Sequence, residues 1–380
     1  MLTSVHFENY KSLRDVRIDL EPFTVLVGGN GCGKSSALQA LNHVTGLFGK
    51  FEYPRHMLGR PKLVFSLAAA PERLATAGAS HFGLTIRDAG PVGEFSLHWD
   101  RPAQPYGGQL GVPPIFSVRG GGADLVYPLA PTEMGAEPEF FGRFPEQRPA
   151  TLLQLDAAIL AEPQYSDSSD PHVSFDGFGL GPTLQKLQLL RDGRFEAIEQ
   201  ALAGVVPFVR RLRVVPARVL RQERQRVSVE GQDFDTTVQR ERTGARVEAE
   251  VRGSGWIAAD LLSEGTLLTL ALLTVLHDER PSLLLLDDLD RALHPLAQVR
   301  LVKALRALQA TTSGLQIVTT THSPHSVDCF AVEEVRVLRL AEDGGSVCLP
   351  LAEHPRWEKR KGFLLPGEFW SGVGEEWVGQ

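Results

Sequence analysis

The chain has 380 residues, 43% hydrophobic and 22% charged, with a formal net charge of -7. That composition is ordinary for a globular protein, and the length can bury a large core in one elaborate domain or two. No apolar run approaches the ~20 residues that span a bilayer, and the N-terminus lacks the apolar region of a signal peptide. Three cysteines, Cys32, Cys329 and Cys348, stand at no metal-ligand spacing, as expected in a reducing cytoplasm. The acidic balance opposes bulk attraction to nucleic acid or to an anionic membrane, and leaves a local basic surface open. We expect a cytoplasmic protein with no membrane partner.

In chain order, LTSVHFENY and VRIDL alternate apolar and polar residues and read as strands. PFTVLV is an apolar, β-branched run that reads as a buried strand. SSALQALNHVTGL carries apolar residues at helical spacing. HFGLTIR and EFSLHW flank DAGPVG as a hairpin. Residues 101–150 are rich in Gly and Pro and read as a long, loop-like surface insertion. GPTLQKLQLLRDGRFEAIEQALAGV is helical, with a break at Asp192-Gly193. RRLRVVPARVLRQERQRVSV and ARVEAEVR read as arginine-rich strands. From Asp260 onward helix and strand alternate. The expected divisions are 1–100, the first half of a discontinuous domain; 101–210, a loop-rich and helical insertion; 211–345, the second half of that domain; and 346–380, a C-terminal tail.

Between the PFTVLV strand and the helix after it lies VLVGGNGCGKSS. Gly28, four residues, then Gly33, Lys34 and Ser35 match a phosphate loop without a gap. Backbone N–H groups can surround a phosphate only if the chain curls tightly, which favours glycine. The helix that follows aims its N-terminal dipole at the anion. Lys34 is expected on the β- and γ-phosphates, and Ser35 on Mg²⁺.

PSLLLLDDLD supplies a second half. Leu283 to Leu286 suit a central strand buried on both faces, ending in Asp287 as the Mg²⁺-side acid. A short helix is the competing reading of four leucines. Pro281 before them and the acidic pair after them favour the strand. Asp288 stands where a water-polarising acid belongs. Upstream, Ser263 is the expected N-cap of an apolar helix whose first turn holds Gly265. Downstream, LQIVTTTHSPHSVD is a strand with His322 at its tip, in the order expected of a γ-phosphate contact.

GGNGCGKSS, LSEGT, LLLLDDLDRALHP and TTTHSP, in this order, resemble the ABC-type ATPases of the SMC and RecF class. The likeness is greatest to the AAA-labelled, overcoming-lysogenization-defect-like branch. It covers roughly residues 1–45 and 255–340. It implies an α/β P-loop fold of ABC-ATPase type: a mixed central sheet flanked by helices, an antiparallel β subdomain and a helical and loop insertion.

Carried over by position, Gly28, Asn30, Gly31, Cys32, Gly33, Lys34, Ser35 and Ser36 hold ATP, with Mg²⁺ on Ser35 and Asp287. Asp288 is the general base and His322 the switch histidine. Ser263 to Thr266 form the signature that meets ATP on an opposite protomer, with Ser263 and Gly265 as its contacts. Ala292 to Pro295 form the D-loop, with His294 replacing an acid. The Q-loop glutamine cannot be placed.

The resemblance thus implies an ATPase that works as a homodimer or higher oligomer. No long coiled coil and no C-terminal nuclease domain accompany it, so an effector would be a separate chain. A RecF-like repair ATPase and an ATP-sensing scaffold with little hydrolysis are the alternatives. Asp288, a methylene shorter than Glu, points to slow or partner-dependent turnover. Residues 210–252 hold eleven arginines against seven acids, so DNA stays open as a partner. The aromatic tail FLLPGEFWSGVGEEWVGQ either docks on the core or captures a partner.

Overall fold

The computed structural model describes residues 1–45, 75–89, 93–100, 115–120, 123–128, 150–229 and 232–379. The chain divides into two compact units. The first comprises Met1–Leu152, Pro281–Asp290 and Gln309–Gln380; the second comprises Leu153–Arg280 and Arg291–Leu308.

The first unit is built on two sheets. The strands expected at the N-terminus are β1 (Leu2–Tyr10), β2 (Leu13–Asp19) and β3 (Phe23–Gly28), followed by helix α1 (Lys34–Thr45). The expected hairpin is β4 (His81–Asp88) and β5 (Glu94–Asp100), paired antiparallel. Part of the stretch 101–150, expected as loop, forms a further hairpin, β6 (Ile115–Gly120) and β7 (Ala123–Pro128). Only two residues separate these strands, and paired strand edges provide the order that the sequence's weak periodicity does not announce. Residues 101–114, 121–122 and 129–149 of that stretch lie outside the described residues. These strands form one antiparallel sheet in the order β2-β1-β4-β5-β6-β7.

The other sheet runs β15-β14-β3-β13-β12-β8. It comprises β8 (Ala150–Leu153), β12 (Leu283–Leu286), β13 (Gln316–Thr320), β14 (Val335–Leu340) and β15 (Ser346–Pro350), with β3 near its centre. β14, β3, β13 and β12 are parallel, whereas β15 is antiparallel to β14. The four leucines of β12 are all buried. Burial on both faces explains why Leu, not β-branched, serves in this strand. One apolar core joins Val5 and Phe7 of β1, Phe82 and Leu84 of β4, Leu38 and Leu41 of α1, and Leu285 and Val318 of the parallel sheet. The helix that follows the phosphate loop is thereby seated by its apolar face.

Two buried polar side chains tie the sheets at their backbones. Gln316 accepts from Leu2 N–H (2.9 Å) and donates to the carbonyls of Leu2 (2.8 Å) and Glu21 (3.0 Å). Arg336 donates to Asp19 O (2.7 Å) and to Glu333 O. The C-terminal segment docks on this unit. Short helices α7 (Pro324–Val327), α8 (Trp357–Arg360) and α9 (Pro366–Val373) bring Trp357, Phe369 and Trp370 into buried positions. Trp357 and His354 both meet the Phe369 ring edge-on. Asp328 caps α9 by accepting from Gly367 N and Glu368 N. Residues 346–350, placed by sequence in the tail, instead form β15 of the sheet.

The second unit holds α2 (Ala157–Ala161), α3 (Leu180–Leu190), α4 (Arg194–Val205), α5 (Glu264–Asp278) and α6 (Pro295–Thr311). Its sheet is β11-β10-β9, of β9 (Val209–Val229), β10 (Gln232–Val251) and β11 (Gly255–Ala258). The break between α3 and α4 falls at Asp192-Gly193, as the composition indicates. α5 is apolar on nearly every side and correspondingly buried. Its last residue, Asp278, accepts from Lys186 of α3 and Arg194 of α4, both at 2.8 Å. β9 and β10 run 21 and 20 residues, far beyond the usual ~3–10. The second arginine-rich strand therefore starts earlier than the ARVEAEVR pattern indicates, because in-register pairing with β9 carries it. Among the described residues no helix is long and apolar enough to cross a membrane.

Gln316→Leu keeps side-chain volume but strands one buried N–H and two carbonyls. It should lower unfolding free energy by about 2–4 kcal/mol. Urea denaturation with an unchanged m-value checks this; a loss under about 1 kcal/mol would show that the bridge is not what joins the two sheets.

Candidate nucleotide site

Parallel strands in one sheet deliver their C-terminal ends to one edge, where ligand groups collect. Here β3 ends in the phosphate loop, β12 in Asp287 and Asp288, and β13 in Thr320 to His322. The loop's shape rests on glycine at two positions. A Cβ on Gly28 (φ 143°) would lie 2.0 Å from Leu338 O, and one on Gly33 (φ 100°) would lie 2.9 Å from Ser346 Oγ. At Gly28 the backbone conformation and the approach to a backbone carbonyl both exclude a side chain, and at Gly33 the backbone conformation disfavours one.

Lys34 is buried, and its ammonium donates to the carbonyls of Gly28 (2.9 Å) and Gly29 (2.8 Å). The cation is thus held inside the curl of the loop. Cys32 is buried too, its Sγ 3.8 Å from Lys34 Nζ. Burial pushes the Cys32 thiol up, which keeps it protonated and dulls its reactivity. Ser35 and Ser36 lie in the first turn of α1, whose leading N–H groups have no partner within the helix.

Ser35 Oγ donates to Asp287 Oδ1 at 3.2 Å. Two oxygens on adjacent vertices of a Mg²⁺ octahedron stand about 3.0 Å apart, from metal–oxygen distances of 2.0–2.1 Å. Hydroxyl and carboxylate oxygens at this separation fit Mg²⁺, which retains several waters and needs few protein ligands. Thr320 organises the acids. Its buried hydroxyl donates to Asp287 Oδ1 (2.7 Å) and accepts from Asp288 N (2.8 Å). Asp290 accepts from Thr321 Oγ1 (2.6 Å) and His322 N (3.3 Å), which sets the turn that carries the exposed His322. Sequence reading missed Thr320 and Asp290. The TTT run and the DDLD run each hint at them, but only strand pairing makes them partners.

Asp288 occupies the left-handed region, at φ 55°. Asp and Asn tolerate that conformation better than most residues, which is a local reason for Asp instead of the longer Glu. Burial, then the neighbouring Asp287 charge, raises its pKa. His322 and Lys34 act in the opposite sense.

Ser263 and Gly265 belong to the second unit. Ser263 caps α5, accepting from Thr266 N (3.4 Å) and sharing a 2.7 Å hydroxyl pair with Thr266. Gly265 is buried, where a Cβ would lie 2.6 Å from Ala292 O. Its smallness therefore serves packing of the head of α5 on Ala292 and Leu293. Arg291 bonds Glu264 (2.9 Å) across the same junction. His294 accepts from Leu296 N at the head of α6. Among the described arginines, Arg213 and Arg246 both pair with Glu248, and Arg218 pairs with Glu241. The side chains of Arg221, Arg224 and Arg226 lie outside the described residues.

The sign of the Asp288 shift yields a test. A raised folded pKa means that the ionised carboxylate opposes folding. This penalty is absent below the unfolded value of 3.8, grows through the folded value and is complete above it. Asp288→Asn should therefore raise the Tm near pH 7, with the gain gone at about pH 3. Thermal melts at both pH values check this; no gain at neutral pH would deny the charge crowding.

A family model described as "AAA domain, putative AbiEii toxin, Type IV TA system" matches residues 162–328. A second, "AAA ATPase domain", matches residues 1–66. No curated protein matches the chain. Among solved structures, the chain is similar to the SmcHead bound to the C-winged helix domain of ScpA. Identity is 15% and the TM-score 0.56, over 92% of this chain and 98% of that one. It is also similar to an Smc head domain with an extended coiled coil, bound to the C-terminal domain of ScpA derived from Pyrococcus furiosus. There identity is 14% and the TM-score 0.54, over 95% of this chain and 99% of that one. The architecture is that of an SMC-head-like P-loop NTPase.

Proposed function

We propose that the chain is an ATP-binding and hydrolysing switch that dimerises around ATP and regulates a separately encoded effector. The observation that supports it best is the cluster of Lys34, Ser35, Asp287, Thr320 and Asp288 at one sheet edge. Ser35 and Asp287 would hold Mg²⁺, which would supply charge neutralisation at the β- and γ-phosphates. The loop N–H groups and Lys34 bind the phosphate chain. Thr320 holds the Asp287 carboxylate toward Ser35. Asp288 accepts a proton from the attacking water, and His322 contacts the γ-phosphate. Ser263 and the head of α5 meet the ATP of a second copy.

The effector part rests on the resemblance, in which nuclease-type partners in mobile-element or phage defence are usual. Both similar head structures are bound to a domain of ScpA, which supports partner docking on heads of this fold. One observation favours a slower scaffold-like variant: Asp288 is short and its φ of 55° disfavours Glu.

Lys34→Ala should abolish ATP binding or turnover, read by nucleotide titration and phosphate release. Unchanged affinity and rate would remove the site. Asp288→Asn should keep ATP binding but lower turnover by about 10²-fold or more. With ATP and Mg²⁺ it should sediment as a dimer, and as a smaller species without them. If its mass distribution ignores ATP, the dimer mechanism is wrong.

A further inference from the structure

The proposed function leaves the aromatic C-terminal segment without a role, yet this segment reaches the turn that carries His322. The turn leaves β13 at Thr321 and enters α7 at Pro324. α7 has four residues, far fewer than the ~12 at which a helix begins to hold unaided, so its position comes from its neighbours. Asp290 fixes the start of the turn through the Thr321 hydroxyl and the His322 N–H. Phe330 fixes the exit, meeting Phe23 of β3 edge-on with ring centroids 4.8 Å apart. Between these two points α9 bears on the turn.

That contact is close. Gly367, in the first turn of α9, is buried, and a Cβ there would lie 2.0 Å from Pro324 O and 2.7 Å from Asp328 Oδ1. Only a hydrogen fits between the two helices. Asp328 Oδ1 accepts the N–H groups of Gly367 (2.8 Å) and Glu368 (3.1 Å), donors that a helix cannot satisfy internally. A carboxylate at this end also suits the helix dipole. α9 can bear on the turn because it is anchored elsewhere. Phe369 and Trp370 are buried, and the rings of His354 and Trp357 stand 5.0 and 5.1 Å from that of Phe369. Beyond α9, Arg339 of β14 donates to Glu376 O, and Val378 is fully buried. β14 is the strand whose Leu338 O closes on Gly28. The tail thus has its foot on the strand beside the phosphate loop and its head on the His322 turn.

We propose that α9 is a strut that positions His322, with Gly367 and Asp328 as positioning residues for ATP hydrolysis. The inference rests on the ATPase reading above, in which His322 contacts the γ-phosphate. Lys34 and His322 must then stand at a fixed separation, and the tail braces it from the β14 side while Asp290 braces it from the β12 side. A side chain at position 367 would push Pro324 away and carry His322 with it, leaving Lys34, Ser35 and Asp287 in place. Packing alone would cost stability, whereas a strut costs turnover that depends on His322.

The test uses the full chain with ATP and Mg²⁺. Gly367→Ala and, separately, Asp328→Ala should lower kcat about tenfold or more, with ATP affinity changed less than about twofold. Asp328→Asn keeps an acceptor oxygen and should recover most of the rate lost in Asp328→Ala. In a His322→Ala background, Gly367→Ala should cost less than about twofold, because the contact that it disturbs is already gone. Equal losses in both backgrounds overturn the proposal, and so does a Gly367→Ala protein with the wild-type rate. Hydrogen exchange reads the strut without turnover. In Gly367→Ala the amides of 321–328 should exchange about tenfold faster, and those of 25–36 should not change. Unchanged exchange at 321–328 overturns the strut. A wild-type chain that binds ATP but releases no phosphate removes the ATPase reading, and exchange then decides the strut by itself. Circular dichroism verifies folding. Asp328→Ala, which adds no atoms, carries every arm if Gly367→Ala does not fold.

Discussion

The hydroxyl of Thr320 is the interaction on which the site depends. It is fully buried, it donates to the Asp287 carboxylate, and it accepts the backbone N–H of Asp288. β13 thus orders the end of β12, the strand beside it. Without that bond, Asp287 would be free to turn from Ser35, and the chain after β12 would lose the contact that sets the turn at Asp288. Leu289 N donates to Thr320 O and closes the same corner. A side-chain hydroxyl can do this only because the strands are parallel and in register, Leu286 beside Thr319.

The corner is also where local preference and chemistry meet. Two adjacent carboxylates, one raised in pKa, at a left-handed backbone position, make a costly arrangement. Strain and charge crowding of this kind persist only where surrounding structure over-determines them. Gly28 shows the same pattern. Its unusual φ and its contact with Leu338 O let β14 pack against the loop at its root. The core then does the rest: Leu38 and Leu41 of α1 lock the helix whose first turn follows the glycine loop.

The second unit solves a different problem. Its central helix α5 is apolar nearly throughout, so its polar ends need dedicated partners. Ser263 satisfies the N-terminus, and Lys186 and Arg194 meet Asp278 at the C-terminus. Because Asp278 is almost wholly buried, removing either cation would leave an under-compensated charge. Gly265 belongs to the same economy of space, since its hydrogen is all that fits under Ala292 O.

Much was legible in the sequence because local physics decides it. A phosphate loop must curl, so Gly28, Gly33, Lys34 and Ser35 announce themselves by spacing. A doubly buried strand must be apolar to its last residue, so Leu283 to Asp287 read as a strand ending in an acid. An N-cap favours a short side chain that can accept a backbone N–H, so Ser263 marks the head of α5. Other features were not legible, because they depend on residues far apart in the chain. The β6–β7 hairpin and the full length of β10 come from strand pairing, which glycine-rich or charged segments do not advertise. Thr320 and Asp290 gain their roles only when β12 and β13 lie side by side. The sequence leaves open whether the aromatic tail docks; the tertiary structure buries Phe369 and Trp370 and leaves Phe363 outside. Composition sets the net charge of -7, but only folding decides that Gln316 of β13 meets the backbone of Leu2 and Glu21. Local spacing can encode a turn, a cap or a buried strand, whereas a surface exists only once the chain has closed.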